Sequence, residues 1–229
     1  MLLPDLSRRL RANDDGGART ALSRAAEVSL ALTIPSAIAL MVIPLPLVSV
    51  LFERGAATSD DSAAIAVAVS IYGLGLPAFV LQKILQPVFF ARENTKTPFH
   101  YAVWSMVINA ALAIGLAPAG WLAPAIATTC AAWAMVAMLG VGARRYGDVA
   151  KFDHRFHARI WRMVFASFIM GGVLWWATVL LNPFLGLPWW RALALFVLVL
   201  IGVLTYFGTG HLLRAFRISE FKAALRRTP

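Results

Sequence analysis

The sequence predicts an all-helical, polytopic membrane protein with six transmembrane helices. The first observation is composition, because 60% of the 229 residues are hydrophobic and 14% are charged, against about 25% charged in a soluble domain. The second is that charged residues are absent from five long stretches. The third is that Lys and Arg collect in alternate segments between those stretches. This composition excludes a disordered chain and argues against a soluble globule.

The six spans follow from the gaps between charged residues, because a helix needs about 20 apolar residues to cross the hydrocarbon core. The third gap, residues 97–143, is too long for one helix, and Pro118, Gly120 and Pro124 divide it. Strands of a membrane barrel require short segments of alternating polarity, and no such pattern competes. The predicted spans are residues 28–52, 62–82, 100–117, 122–141, 163–181 and 192–213.

The positions of Lys and Arg predict the orientation of these spans, because cytoplasmic segments carry the excess of basic residues. Every Lys and Arg except Arg54 and Arg191 lies in the N-terminal segment, the second or fourth connection, or the C-terminal tail. Both termini are therefore expected in the cytoplasm. The net charge of +10 would suggest nucleic acid in a soluble protein. Here it is a topology signal, and no nucleic-acid partner is expected.

Prolines within the first two spans predict bent or interrupted helices. A proline removes a backbone donor, which a membrane helix tolerates where neighbours or a cavity satisfy the freed carbonyl groups. Bent helices at this density favour a transporter over a simple anchor. The prolines are Pro35, Pro44, Pro46, Pro77 and Pro87.

Lys83 has apolar sequence on both sides, in GLPAFVLQKILQPVFFAR. A charge at membrane depth marks a functional position by default, whereas a lysine near the interface can reach water without any function. The two interpretations stay open. If the helix continues to Phe90, Lys83 is expected to face a cavity or another helix, with a negatively charged headgroup as its natural partner.

Three polar residues in the third and fourth spans, Asn109, Thr128 and Thr129, would face each other across a tight hairpin. They could hydrogen-bond the two helices or coordinate a cation. Interhelical bonding is favoured, because neither helix contains a carboxylate to supply charge to a cation site.

Two further pairs of residues with ionisable side chains each allow two interpretations. Arg54 and Glu53 follow the first span and form either a surface ion pair or a cation available to an anionic group. The spacing of His154 and His157 would allow both to bind one metal ion. Zinc normally requires three or four ligands, so a solvated loop is favoured. No metal and no cofactor is expected.

Motifs of enzyme chemistry are missing from the sequence. It contains no HExxH, no P-loop, no GxSxG and no GxGxxG after a strand. No pair of carboxylates lies in a predicted span to act as general acid and base. We therefore expect that the protein is not an enzyme.

Four strings resemble the MurJ/MviN family of lipid II flippases over residues 2 to about 146. FFARENTKTP, residues 89–98, is similar to that family's FYAR-D-KTP loop and is the most specific of the matches. The resemblance implies a fold of two six-helix lobes around a central cavity, followed by two helices that form a groove for a lipid tail. The strings are LLPDLSRR, LFERGAATSDD, YGLGLPAFVLQKILQPVFFARENTKTP and INAAL.

On that template the chain is the second lobe, in part, plus the C-terminal helix pair. Family members are roughly twice this long, so Met1 is expected to be an internal or truncated start, and the chain is expected to need the missing N-terminal lobe. The resulting segments are a cytoplasmic amphipathic segment (1–27), four helices of the second lobe (28–146), a basic cytoplasmic loop (147–162), the two-helix lipid-groove hairpin (163–213) and a basic cytoplasmic tail (214–229).

The resemblance implies that the protein flips an undecaprenyl-linked peptidoglycan precursor, lipid II, across the bacterial cytoplasmic (inner) membrane by alternating access. Its partners would be this precursor and membrane lipids. Arg54, Lys83 and Arg92 are the implied substrate contacts. Asn109 and Thr129 match positions of a cation site in some relatives, but the acidic ligand of that site would fall near Ala113.

Two alternatives remain at this stage. One is a flippase for a polysaccharide or O-antigen lipid in the same superfamily, which would differ in headgroup contacts. The other is a membrane scaffold without transport activity, whose basic loops hold anionic lipid or cell-wall synthesis partners.

Overall fold

The computed structural model describes residues 2–52, 59–185, 187 and 190–213, and all regular structure in these ranges is helical. The predicted all-helical class is therefore confirmed. Short 3₁₀ turns occupy Ala117–Leu122 and Arg144–Ala150. The helices are α1 (Leu2–Arg11), α2 (Asp15–Val42), α3 (Pro44–Phe52), α4 (Ser59–Phe90), α5 (Lys96–Gly115), α6 (Ala123–Ala143), α7 (His154–Leu185) and α8 (Arg191–Leu212).

Helix α1 is a short amphipathic helix that packs through one apolar face. Its Leu6 is buried with Ala18 of α2. The helix ends at Arg11, and Asn13 in the following turn has a φ of 56°, in the left-handed region that Asn tolerates. Within α1, hydrogen bonds from Arg8 and then Arg9 hold the pKa of the Asp5 carboxyl below its usual value.

The first predicted span is split into two helices. Helix α2 ends at Val42 and α3 begins at Pro44, with Ile43 between them. The break lies where Pro44 and Pro46 follow each other closely, because neither can donate to the helical hydrogen-bond ladder. Pro35, in contrast, lies inside the continuous α2. The prediction of an interrupted helix is confirmed at this position.

Five of the described helical segments are long and apolar enough to cross a membrane. They correspond to five of the six predicted spans, and α5 is not among them. Helix α5 has the length of a span but carries Lys96, His100, Ser105 and Asn109, which lower its mean hydropathy. The count of six spans therefore stays a prediction. The segments are Asp15–Val42, Asp60–Phe90, Gly120–Gly147, His154–Leu185 and Arg191–Leu212.

Helix α7 begins at His154, earlier than the predicted Met163. The basic segment before Met163 is helical here, because Phe156 is buried and stacks on Phe152 with ring centroids 4.3 Å apart. The preceding residues are held by α2, since Arg19 pairs with Asp153 at 2.8 Å and Ser23 accepts its backbone N–H. Half of the segment predicted as loop is thus an extension of the helix.

The chain forms two compact units. The first comprises Met1–Thr33 and Gly75–Ala158, and the second comprises Ile34–Leu74 and Arg159–Pro229. In the first, α5 and α6 form a closely packed hairpin in which Gly142 lies against Tyr101. In the second, Gly73 lies against Ala37 of α2. Small residues at such contacts let membrane helices approach closely.

The second unit exposes a broad apolar surface along α7 and α8. Trp175 and Trp176 are 63% and 62% exposed, and Phe196 and Leu204 are each 64% exposed. Side chains of this size and polarity on a long apolar helix fit contact with lipid tails. This agrees with a membrane location for the hairpin.

Candidate functional site

Polar side chains line a groove between α4 and α5 in the first unit. The groove is a cavity of about 540 Å³, and its polar lining is Gln82, Gln86, Ser105 and Asn109. We call it the α4–α5 groove. Four polar side chains on helices of predicted membrane depth are unusual, because polar groups there are expensive and face a protein interior or a water-filled cavity.

Hydrogen bonds to α6 fix three of these side chains. Gln82 Nε2 donates to the carbonyl oxygen of Ala132 at 2.9 Å, and Ser105 Oγ donates to that of Ala131 at 2.9 Å. Asn109 Nδ2 donates to Thr128 Oγ1 at 3.2 Å. Each amide also carries an oxygen that accepts hydrogen bonds. The groove therefore presents fixed amide groups, suited to hydroxyl and amide groups of a polar ligand.

Lys83 is exposed on α4 and is not among the residues that line this groove. Helix α4 continues to Phe90. The expectation that Lys83 faces a cavity or another helix in such a continuous helix stays a prediction. At 100° per residue, Lys83 and Gln86 lie about 60° apart around the helix axis. Lys83 also lies about 10 Å along the axis from the end of α4. Lys83 therefore follows Gln82 in sequence but lies on a different part of the α4 surface from the two glutamines that line the groove.

Arg92 lies in the turn that joins α4 to α5. Glu93 adopts a left-handed φ of 56°, and its N–H donates to the carbonyl oxygen of Phe90 at 3.0 Å. The N–H of Asn94 donates to the carbonyl oxygen of Phe89 at 3.1 Å, which completes a Schellman ending. Asn94 Oδ1 then accepts the backbone N–H of residue 97 in the first turn of α5. The string FFARENTKTP is thus a helix ending followed by a helix cap.

The guanidinium group of Arg92 packs on an aromatic ring. Its Cζ lies 4.5 Å from the ring centroid of Tyr146, and Cζ of Arg145 lies 5.1 Å from the same centroid. Asn94 Nδ2 donates to Tyr146 Oη at 2.8 Å, and Arg145 Nη2 donates to Thr97 Oγ1 at 2.7 Å. The Arg92 Nη1 atom is buried and has no hydrogen-bond partner in the part of the chain that the structure describes. We call these five residues the Tyr146 cluster.

The Tyr146 cluster gives a stability prediction. Tyr146→Phe removes the hydrogen bond from Asn94 and is expected to lower the free energy of unfolding by about 1 kcal/mol. Tyr146→Leu also removes the ring under Arg92 and Arg145, which adds about 0.5–1 kcal/mol for each cation. Thermal unfolding in detergent should therefore rank wild type above Phe above Leu. Tyr72→Phe, at an exposed tyrosine of α4, is the control, and an equal shift there would contradict the prediction.

The structure places the other predicted site residues apart from one another. Asn109 pairs with Thr128, as the favoured interhelical bond predicted, whereas Thr129 lies against Gly75 of α4, where an added Cβ would stand 3.3 Å from Thr129 Oγ1. Arg54 lies outside the described residues. Within the described ranges no three His, Cys, Asp or Glu residues converge as a metal site.

Several residues of these sites carry a signal that the sequence interpretation missed. Gln82 and Gln86 are one helical turn apart in an otherwise apolar span, which places both amides on one face. Ser105 and Asn109 repeat this spacing in α5. Tyr146 and Arg145 gave no such signal, because their contacts join residues about fifty positions apart.

Comparisons with known proteins all point to one family. Residues 1–189 match a family model described as "Lipid II flippase MurJ". A probable lipid II flippase MurJ from Rhizobium tropici is 34% identical over 233 residues, which cover 99% of this chain and 43% of the relative. One from Vibrio cholerae serotype O1 is 33% identical, covering 98% of this chain and 43% of the relative.

A solved structure supports the same assignment. It is described as "Lipid II flippase MurJ, inward closed conformation", and the fold matches with a TM-score of 0.72 and 26% sequence identity. The match covers 99% of this chain and 43% of that chain. The chain thus spans less than half the length of the relatives it matches.

Proposed function

The chain belongs to the MurJ family of lipid II flippases, and we propose that it contributes to flipping an undecaprenyl-linked peptidoglycan precursor across the bacterial cytoplasmic membrane. The observation that carries this proposal is the family match over residues 1–189, together with a MurJ fold over 99% of the chain. The names of the relatives favour this function over a polysaccharide flippase and over a scaffold without transport activity.

The polar features of the first unit support contact with the precursor headgroup. In this proposal Lys83 attracts the pyrophosphate, while the amides of the α4–α5 groove bind sugar hydroxyl and peptide groups. Arg92, held on the Tyr146 ring, and Arg54 are proposed as further contacts with the anionic headgroup. A cation site at Asn109 and Thr129 gains no support from these contacts, because Asn109 bonds Thr128 while Thr129 lies against Gly75.

In this proposal the membrane potential or an ion gradient drives the movement of the headgroup. Alternating access rocks two lobes about a central site, so in this proposal the chain works together with the first lobe that the family resemblance implies. One elementary charge moved through 100 mV is worth about 2.3 kcal/mol, so the membrane potential or an ion gradient supplies enough free energy. The exposed apolar surface of α7 and α8 would keep the polyprenyl tail in lipid during the movement.

The proposed orientation places both termini in the cytoplasm. Reporter domains fused after Asp60, Gly120 and Leu185 are therefore expected to report the external side, because Arg54 and Arg191 are the isolated basic residues of those connections. Fusions after Asn94 and Gly147 are expected to report the cytoplasm. A cytoplasmic signal at any of the first three positions would contradict the six-span topology.

A chimera tests the flippase proposal directly. Replacing the matching segment of the Rhizobium tropici relative by this chain should give a protein that rescues growth of a flippase-depleted bacterium. The chain expressed alone should reach the membrane but fail to rescue, because it would supply only part of the cavity wall. A chimera that is abundant in the membrane yet inactive would count against the proposed function, and rescue by the chain alone would refute the need for a first lobe.

A further inference from the structure

Two arginines of the first unit share one aromatic ring, in the Tyr146 cluster. The Cζ atoms of Arg92 and Arg145 lie 4.5 Å and 5.1 Å from the centroid of the Tyr146 ring. The ring attracts each cation by about 0.5–1 kcal/mol, but it carries no net charge and cannot neutralise either of them. Two cations held so close together create a local positive potential that favours an anion.

Neither guanidinium group is occupied by an acidic partner. Among the described residues, neither Arg92 nor Arg145 forms an ion pair with a carboxylate. Arg145 is exposed and gives one N–H to Thr97 Oγ1, which leaves most of its five donors available. Arg92 is half-buried, and its Nη1 atom is enclosed. A ligand would therefore contact the other two nitrogen atoms of Arg92.

The charges of the neighbouring segments leave a positive balance. Residues 91–97 and 144–148 contain four basic and two acidic residues. Of the two acids, Glu93 is exposed and forms no ion pair with a described residue, and the side chain of Asp148 lies outside the described part of the chain. Helix α1 packs nearby, but its Asp5 is already paired with two arginines of its own helix.

The ring beneath the two cations is held firmly in place. Tyr146 Oη accepts a hydrogen bond from Asn94 Nδ2 at 2.8 Å, and the ring meets the fully buried Phe89 at a centroid distance of 5.5 Å. A fixed ring restricts both long arginine side chains before any ligand arrives. Less conformational entropy is then lost on binding, so the pair is preorganised for an anion.

The arrangement favours a pyrophosphate over a single phosphate. A guanidinium group binds phosphate oxygens through parallel N–H donors, and one such group suits one phosphoryl group. Two guanidinium groups on one ring match the two phosphoryl groups of a pyrophosphate. In the proposed orientation they also lie at the cytoplasmic ends of α4 and α6, nearer to the membrane surface than Lys83.

We propose that Arg92 and Arg145 capture the pyrophosphate of the lipid-linked precursor at the cytoplasmic surface, before the headgroup reaches Lys83. This inference rests on the proposed function and adds two assignments to it. Arg145 is a binding residue for the pyrophosphate. Tyr146 is a positioning residue that acts through the two arginines.

Binding to the purified full chain in detergent tests this proposal without requiring transport. The probes are undecaprenyl pyrophosphate, undecaprenyl phosphate and phosphatidylglycerol, and the dissociation constant of each is measured by titration. We expect the pyrophosphate to bind about tenfold more tightly than the monophosphate, because its second phosphoryl group adds hydrogen bonds to a charged group. Phosphatidylglycerol also carries a single phosphate and should bind no more tightly than undecaprenyl phosphate.

Arg145→Gln is expected to remove most of this tenfold preference, and Arg145→Lys should keep part of it, because lysine keeps the charge but lacks the fork of donors. Arg144→Gln removes an equal charge from the exposed neighbouring position and is the matched control, which should keep the preference. Thr97→Val removes the hydrogen bond to Arg145 but leaves the cation, so it should also keep the preference even where it lowers the unfolding temperature.

The same ratio of dissociation constants tests the role of Tyr146. Tyr146→Phe keeps the ring and should keep the preference for the pyrophosphate, whereas Tyr146→Leu should lose most of it. An unchanged preference in Arg145→Gln, an equal loss in Arg144→Gln, or phosphatidylglycerol binding as tightly as the pyrophosphate would each overturn the proposal. Failure of the proposed function has a different signature, because the chimera would then be inactive whatever these binding ratios are.

Discussion

Replacing Gly142 by alanine is expected to lower the free energy of unfolding by about 1–3 kcal/mol, the usual penalty for overpacking a close contact. A Cβ at this position would lie 2.8 Å from Cε2 and 3.0 Å from Cζ of the Tyr101 ring, and it would overlap the Tyr101 hydroxyl group. Real Cβ atoms do not approach other atoms so closely, so either α6 or the ring must move.

The surroundings of Tyr101 resist that movement. Its ring meets the edge of Phe89 at a centroid distance of 6.3 Å, and Phe89 is fully buried and packs at 5.5 Å against Tyr146. Displacing Tyr101 therefore disturbs the Tyr146 cluster and the turn that holds Arg92. Interiors are close-packed, so such a shift spreads to neighbouring side chains.

Gly140→Ala is the matched control on the same helix. A Cβ at Gly140 meets no atom within 4 Å, and alanine favours helix over glycine by about 1 kcal/mol. We expect Gly140→Ala to keep or raise the unfolding temperature measured in detergent, while Gly142→Ala lowers it. Equal unfolding temperatures for the two variants would show that the Tyr101 contact does not limit packing.

Five of the six predicted spans match long apolar helices of the described structure, because the physics that marks such helices is local. Each residue of a span must suit the hydrocarbon core, so hydropathy along the chain marks the helices without knowledge of their contacts. The break before α3 follows in the same way from Pro44 and Pro46. Helix α5 is the exception. Its Ser105 and Asn109 line the α4–α5 groove, and hydropathy alone cannot distinguish such a helix from a marginal span.

The sites were harder to predict because they depend on contacts between distant residues. The Asn109–Thr128 bond was foreseeable, since a short hairpin returns the chain beside itself. The Tyr146 cluster was not, because nothing local to Arg92 indicates an aromatic ring about fifty residues later. The predicted start of α7 was wrong for a related reason. Phe156 is buried by packing contacts, and the charged residues around it in the sequence do not indicate those contacts.

Replacing Lys83 by alanine in the chimera is expected to reduce flippase activity by on the order of tenfold to a hundredfold, the effect of losing one hydrogen bond to a charged group. Lys83 is exposed on α4, about 10 Å before the end of the helix. A cation at this depth is costly unless an anion or water compensates it, and the precursor pyrophosphate is the proposed anion.

The size of this effect separates a substrate contact from a lysine that merely reaches the interface. Lys96→Ala removes an equal charge from the exposed start of α5 and is expected to lose much less activity. Lys83→Arg should keep a substantial part of the activity, because it keeps the charge. Growth rescue and a liposome assay of precursor flipping measure all three variants, with membrane abundance checked in parallel. If Lys83→Ala rescues growth as well as Lys96→Ala, Lys83 serves only to anchor α4 at the membrane surface.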